Sequence, residues 1–155
     1  MSHPELDRST LNLYLARLCG ELGSPPVALD DANEAGLAGE IQGRQVSVSV
    51  TFHPSEKLVV LLSPIGETLS GAPAENLPTA LLSLNVSPRD LGGVCFALDP
   101  RSSTVLLVYS LIDPELRYST FRSAFLRLFA VAAEWKGKLL ALHVAAEKVK
   151  LPVIR

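Results

Sequence analysis

The residues of this chain whose types could do chemistry are three histidines, two cysteines and one acidic stretch, and their spacing joins none of them into a site. His3, His53 and His143 fall in the first segment, a turn-rich break and the last apolar segment, with no partner spacing of a metal site. Cys95 with His53 is the one nucleophile and base pair on offer. Cys95, however, lies inside "VCFAL" with no basic neighbour or helix start to lower its pKa. Cys19 also sits in an apolar run, and no CxxC is present, so both cysteines are expected to be buried, reduced thiols. The stretch "DDANEAGLAGE" lacks the alternating oxygen ligands and fixed glycine of a calcium loop and reads as a solvated turn. Gly92-Gly93 precedes a strand rather than a helix, which suits backbone geometry better than phosphate binding. With no GxSxG, phosphate loop or HExxH either, no catalytic residue, metal or cofactor is implied.

The elements that would position any site belong to one domain. The chain has 155 residues, 48% hydrophobic and 19% charged, a globular balance. Only 6% is aromatic, so Leu, Val and Ala must supply most of the core. A net charge of −2 argues against nucleic acid as the main partner. The charge is uneven: residues 1–43 hold seven acids and two bases, and residues 114–155 hold three acids and eight bases. The segment "MSHPELDRST" has neither the basic start nor the apolar stretch of a signal peptide, and no apolar run approaches the ~20 residues of a membrane span. A cytoplasmic protein without membrane insertion is expected.

Leu11, Leu15, Leu18 and Leu22 recur at helical spacing, with Asp7 or Ser9 as cap, Gly23 as left-handed stop and Pro25-Pro26 beyond. This predicts a helix over 8–22. Four extended runs follow: "VALD" at 27–30, "GLAGEI" at 36–41, "QVSVSVTF" at 45–52 and "KLVVLLS" at 57–63. In the third, Val46, Val48, Val50 and Phe52 share one parity and Gln45, Ser47, Ser49 and Thr51 the other, the pattern of a half-buried strand. A loop around Gly66, Gly71 and Pro73 leads to a short helix in "AENLPTALLSLN", whose Pro78 must lie in its first turn. A second hairpin turns at 99–103. The last helix is predicted with Asp113 as cap, Pro114 at its first position, and a stripe of Leu116, Phe121, Phe125, Leu128, Ala132, Trp135 and Leu139. The class is α+β, a mostly antiparallel twisted sheet in the order α-β-β-β(-β)-α-β-β-α. Residues 1–140 form the domain and 141–155 a basic tail or helix extension.

An antiparallel sheet with much apolar surface and no catalytic set can accept another chain at its edge, backbone groups pairing while alternate side chains enter apolar grooves. The order of elements resembles the class I type III secretion chaperones, typified by the Tir chaperone, over about residues 8–140. The residues that carry the resemblance are "ELGSPP" closing the first helix, "VSVSVTF" and "KLVVLLSPIG", then "LPTALLSLN" and "GGVCFALDPRSSTVLLVYSL", and last "FRSAFLRLFAVAAEWKGKL". They include an asparagine ending the second helix, a glycine before the strand, an "LDP" turn and a Trp in the closing helix.

Members of that family are small cytosolic homodimers of Gram-negative bacteria that bind the N-terminal region of secreted effectors in extended form and keep it export-competent. The resemblance implies a dimer interface on the second helix and adjoining strand, here Leu81, Leu84, Val86, Val94 and Phe96. It implies effector grooves at the first helix and first strands, here Leu11, Tyr14, Leu18, Val27 and Leu29. The tail with Lys148, Lys150 and Arg155 lies beyond the shared pattern, and is read either as a docking element for the export ATPase or as a solvated end. The alternative function is a small-ligand-binding or regulatory module on a related scaffold.

Overall fold

The computed structural model describes residues 4–67, 77–86 and 91–150, with side chains for all of these except 77–79, 86 and 143–150. Helix α1 spans Arg8–Leu22. Asp7 is its N-cap and accepts a 2.7 Å hydrogen bond from the Thr10 N–H, which holds the Asp7 carboxyl below its ordinary range. Gly23 ends it at φ 66°, and the Ser24 N–H closes back on the Cys19 carbonyl at 3.0 Å.

The predicted strand "VALD" does not form. Asn12 Oδ1 accepts from the Leu29 N–H at 2.8 Å, and Arg8 donates to the Leu29 carbonyl at 2.7 Å. Side chains of α1 thus take the backbone groups that a neighbouring strand would have used. The segment becomes a strap with Leu29 buried beneath it.

Strand β1 (Glu34–Ile41) turns through Gln42 and Gly43, both at positive φ, into β2 (Arg44–His53). That is a two-residue hairpin of the type whose twist matches its strands. Strand β3 (Leu58–Glu67) runs past the predicted end at Ser63 through an irregularity between Pro64 and Gly66, which is how a proline is carried in an interior strand. Helix α2 is described over Leu77–Ser83 and continues as a 3-10 turn, Leu84–Val86. Then come β4 (Cys95–Asp99), β5 (Thr104–Ile112) and α3 (Tyr118–Lys150). The predicted loop around Gly71 and Pro73, the start of "AENLPTALLSLN" and residues 151–155 lie outside the described residues.

All strand pairs are antiparallel, in the order β1-β2-β3-β5-β4, so the expected α+β class and element order are borne out. One correction concerns the last helix. Asp113 does not cap it: its carboxylate accepts from the Glu115 N–H at 2.9 Å and its carbonyl from the Leu116 N–H at 3.2 Å, closing a separate turn. The Pro114 carbonyl is occupied by the Leu6 N–H at 2.7 Å, so α3 starts four residues later.

Helices α1 and α3 share one core with a single sheet face. Val46, Val48, Val50 and Phe52 are buried there, opposite Leu37, Val59 and Leu61 in register. Leu11, Leu15 and Leu18 of α1 and Phe121, Phe125 and Leu128 of α3 complete it. On the other face β2 presents Ser47, Ser49 and Thr51, while β3 and β5 present Leu58, Val60, Leu62, Leu106 and Val108, all half-buried. The unbroken runs "LVVLL" and "VLLVY" therefore mark strands apolar on both faces. Cys19 is buried as expected. Cys95 is only half-buried, because its neighbour Phe96 takes the core side, edge-on to Trp135 at 4.8 Å. No helix of the described residues is long and apolar enough to cross a membrane.

Candidate functional site

The two edges of the sheet differ in how their backbone groups are used. At the β4 edge, Asn85 behaves as a fragment of a sixth strand. Its Oδ1 accepts from the Phe96 N–H at 2.7 Å and its Nδ2 donates to the Phe96 carbonyl at 2.9 Å. Since both groups of a strand residue point the same way, Phe96 is an outward residue whose pairing is already satisfied.

At the β1 edge, Glu34 is outward, its carbonyl accepting from the Asp30 N–H at 2.8 Å and its N–H donating to Asp30 Oδ1 at 2.9 Å. Alternation makes Gly36, Ala38 and Glu40 outward as well. The tight hairpin agrees, since it makes Ile41 and Arg44 a hydrogen-bonded pair and so turns Glu40 outward. The N–H and C=O groups of Gly36, Ala38 and Glu40 have no partner among the described residues. Their side chains lie on the face away from the helices.

Beside this edge a cavity of about 170 Å³ opens between β1, the end of α1 and α3, walled by Leu22, Leu37, Gly39, Phe125 and Phe129. Phe125 and Phe129 stack with centroids 6.0 Å apart. A Cβ on Gly39 would stand 2.9 Å from the Phe129 ring, so glycine is what lets that ring lie against the strand. The cavity is smaller than pockets that enclose small ligands, about 300 Å³ and upward, and its size suits one apolar side chain of a chain laid along β1. Its α1 wall is held by charge: Glu21 takes a 2.7 Å hydrogen bond from Arg122 and lies 3.6 Å from Arg17. The Arg122 bond holds the Glu21 carboxyl below its ordinary range. Arg17 in turn covers the Tyr118 ring at 4.1 Å.

The residues named for effector binding divide. Leu11, Leu18 and Leu29 are core side chains. Tyr14 and Val27 are half-buried, and the Tyr14 hydroxyl donates to the Leu116 carbonyl at 2.7 Å. None of the five lines the cavity; Leu22, at 48% exposure, does. Of the residues named for a dimer interface, Leu81, Val94 and Phe96 are buried within the chain, Leu84 is 40% exposed, and the Val86 side chain lies outside those described. Leu82, beside Leu81 in α2, is also exposed. The Cys95 and His53 pair is not brought together, since β3 and β5 separate their strands by three spacings, roughly 14 Å. Among the described residues no group of His, Cys, Asp or Glu could hold a metal ion.

The sequence over residues 14–136 matches the Tir chaperone protein (CesT) family. The chain belongs to that family. The resemblance to class I type III secretion chaperones is thus borne out, and the chain is read from here as a Tir chaperone family member. No curated protein matches it. Among solved structures it is similar to a chain of the ExsC-ExsE complex, at 22% identity and TM-score 0.70, over 83% of this chain and 92% of that one. It is also similar to a chain of the HopA1-SchA chaperone-effector complex, at 16% identity and TM-score 0.63, over 85% and 98%. A third likeness is to a chain of the ExoU-SpcU complex of the Pseudomonas aeruginosa type III secretion system, at 18% identity and TM-score 0.56, over 82% and 95%. These likenesses establish a shared fold.

Sequence reasoning anticipated a sheet edge without saying which, and passed over Gly39, Phe129 and the place of Leu22 in the cavity wall. A glycine inside a strand is the signal for a close backbone approach, and Phe125 and Phe129 stand one helical turn apart. Asn85 was visible only as one of the residues that carry the resemblance.

Proposed function

We propose that this Tir chaperone family protein is a cytoplasmic homodimer that binds the N-terminal region of secreted effectors as an added strand on β1, without catalysis. The observation that carries the reading is the run of unpaired outward groups at Gly36, Ala38 and Glu40 beside an apolar cavity of one side chain's size. A client strand would exchange hydrogen bonds with these residues and send one apolar side chain in toward Phe129. That the similar solved structures include the HopA1-SchA chaperone-effector complex supports the reading. The dimer is assigned to the face away from α1 and α3, where Leu62, Leu106 and Val108 are half-buried, together with the exposed Leu82 and Leu84 of the α2 region that packs on β4. Light scattering should give twice the chain mass; a monomer at micromolar concentration contradicts the dimer. Effectors captured from the native cytosol should bind through an unfolded N-terminal segment, and binding of a folded C-terminal domain alone contradicts strand addition.

A further inference from the structure

We propose that the groove between the β1–β2 hairpin and α3 is an acid-recognition site, in which Arg44 pairs with an Asp or Glu of the bound chain just past the segment added to β1. The inference rests on the strand-addition reading and names the client chemistry that the site selects.

Three observations converge on Arg44. A cavity of about 530 Å³ opens on its β1 side, bounded by Ile41, Gln42, Ala133 and Gly137, and another of about 380 Å³ on its β3 side, bounded by Ile65, Leu139 and Lys136. Arg44 lines both. The guanidinium also lies flat on α3: a Cβ on Gly137 would stand 2.6 Å from its carbon and one terminal nitrogen. Glycine at 137 leaves open the space on the helix that the guanidinium occupies. Finally, the Arg44 guanidinium has no carboxylate or hydrogen-bond partner among the described residues. The nearby charges are otherwise engaged. Lys138 pairs with Glu134 at 2.8 Å and covers the Trp135 ring, and Lys136 donates to the Gln45 carbonyl at 2.5 Å. Gln45 itself holds Glu40 on the opposite face of the sheet. The local balance therefore favours an anion, and a planar guanidinium laid against the helix with its nitrogens unpaired can bind a carboxylate at two points.

The path supplies the occupant. The cavity beside Gly39 and Phe129 and the one beside Ile41 and Ala133 succeed each other along α3, one turn apart. A chain paired with Gly36, Ala38 and Glu40 that continues past Ile41 enters the second cavity and reaches Arg44.

The test is selection of a random peptide library displayed on phage, run in parallel on the wild-type chain, Arg44→Gln and Arg44→Glu. Arg44 is exposed, so all three should melt alike. Wild type should enrich an alternating apolar stretch with Asp or Glu beyond one end. Replacing that acid by its amide should weaken a selected peptide about tenfold on wild type and leave its binding to Arg44→Gln unchanged. Arg44→Glu should reverse the preference to Lys or Arg. Enrichment of the apolar stretch without an acid, or an acid preference that survives Arg44→Glu, overturns this inference alone. Absence of any alternating stretch, or its persistence when Ala38 is replaced by Pro, overturns the strand-addition reading beneath it.

Discussion

The two edges of one sheet face opposite problems and solve them differently. At β4 the outward residue Phe96 is buried and its backbone groups are closed by the Asn85 amide. At β1 the outward residues Gly36, Ala38 and Glu40 are exposed and keep their groups open. An open edge invites pairing with any chain, which proteins usually prevent. Here the Asn85 amide closes β4 at Phe96 and leaves one outward residue, Leu98, without a partner among the described residues, whereas β1 keeps three in succession open beside a cavity with aromatic walls, so β1 offers the longer template for an added strand.

That contrast can be broken at several points. The largest effect should come from Leu18→Asp: Leu18 is fully buried, and a carboxylate there should cost more than about 4 kcal/mol and unfold the chain. A folded Leu18→Asp protein that merely lost its client would return Leu18 to the binding surface. Asn85→Leu should cost about 2–3 kcal/mol in a denaturant titration, because it strips partners from both Phe96 groups, and it should open β4 to self-association. An unchanged midpoint would mean that the seal contributes nothing. Leu22→Asp, at a half-exposed cavity wall, should leave stability within about 1 kcal/mol yet weaken client binding roughly tenfold by calorimetry. The smallest effect is one of pH. Because Arg122 lowers the Glu21 pKa in the folded chain, that link is complete above the ordinary carboxyl value of 4.5 and is lost as pH falls below it. Client affinity in wild type should therefore drop more steeply across that range than in Glu21→Gln.

Much of the fold was legible because it depends on periodicity and on residues with one conformational role. Leucines at helical spacing between Asp7 and Gly23 leave little room for anything but α1, and the alternation of "QVSVSVTF" makes β2 a strand with one buried face. The misreadings share a cause in tertiary hydrogen bonds. "VALD" has a strand's composition, but Arg8 and Asn12 take the Leu29 backbone, and Asp113 has a cap's identity, but Leu6 holds the Pro114 carbonyl. The site was less legible. Periodicity cannot tell a core leucine such as Leu18 from a cavity wall such as Leu22, because both lie on the apolar side of one helix. Nor does any local pattern reveal that the Asn85 amide meets Phe96 across ten intervening residues. Those bonds, rather than composition, close β4 at Phe96, while Gly36, Ala38 and Glu40 of β1 stay open.

The most direct measurement is client affinity of Ala38→Pro beside wild type, with thermal melts of both. The Ala38 N–H points away from β2, so proline there removes a donor to the added strand while leaving the β1–β2 ladder whole. The account predicts a melt close to that of wild type and a loss of client binding of about thirtyfold or more, from a lost hydrogen bond and the ring obstructing the edge. Wild-type affinity in a folded Ala38→Pro protein would contradict strand addition on β1.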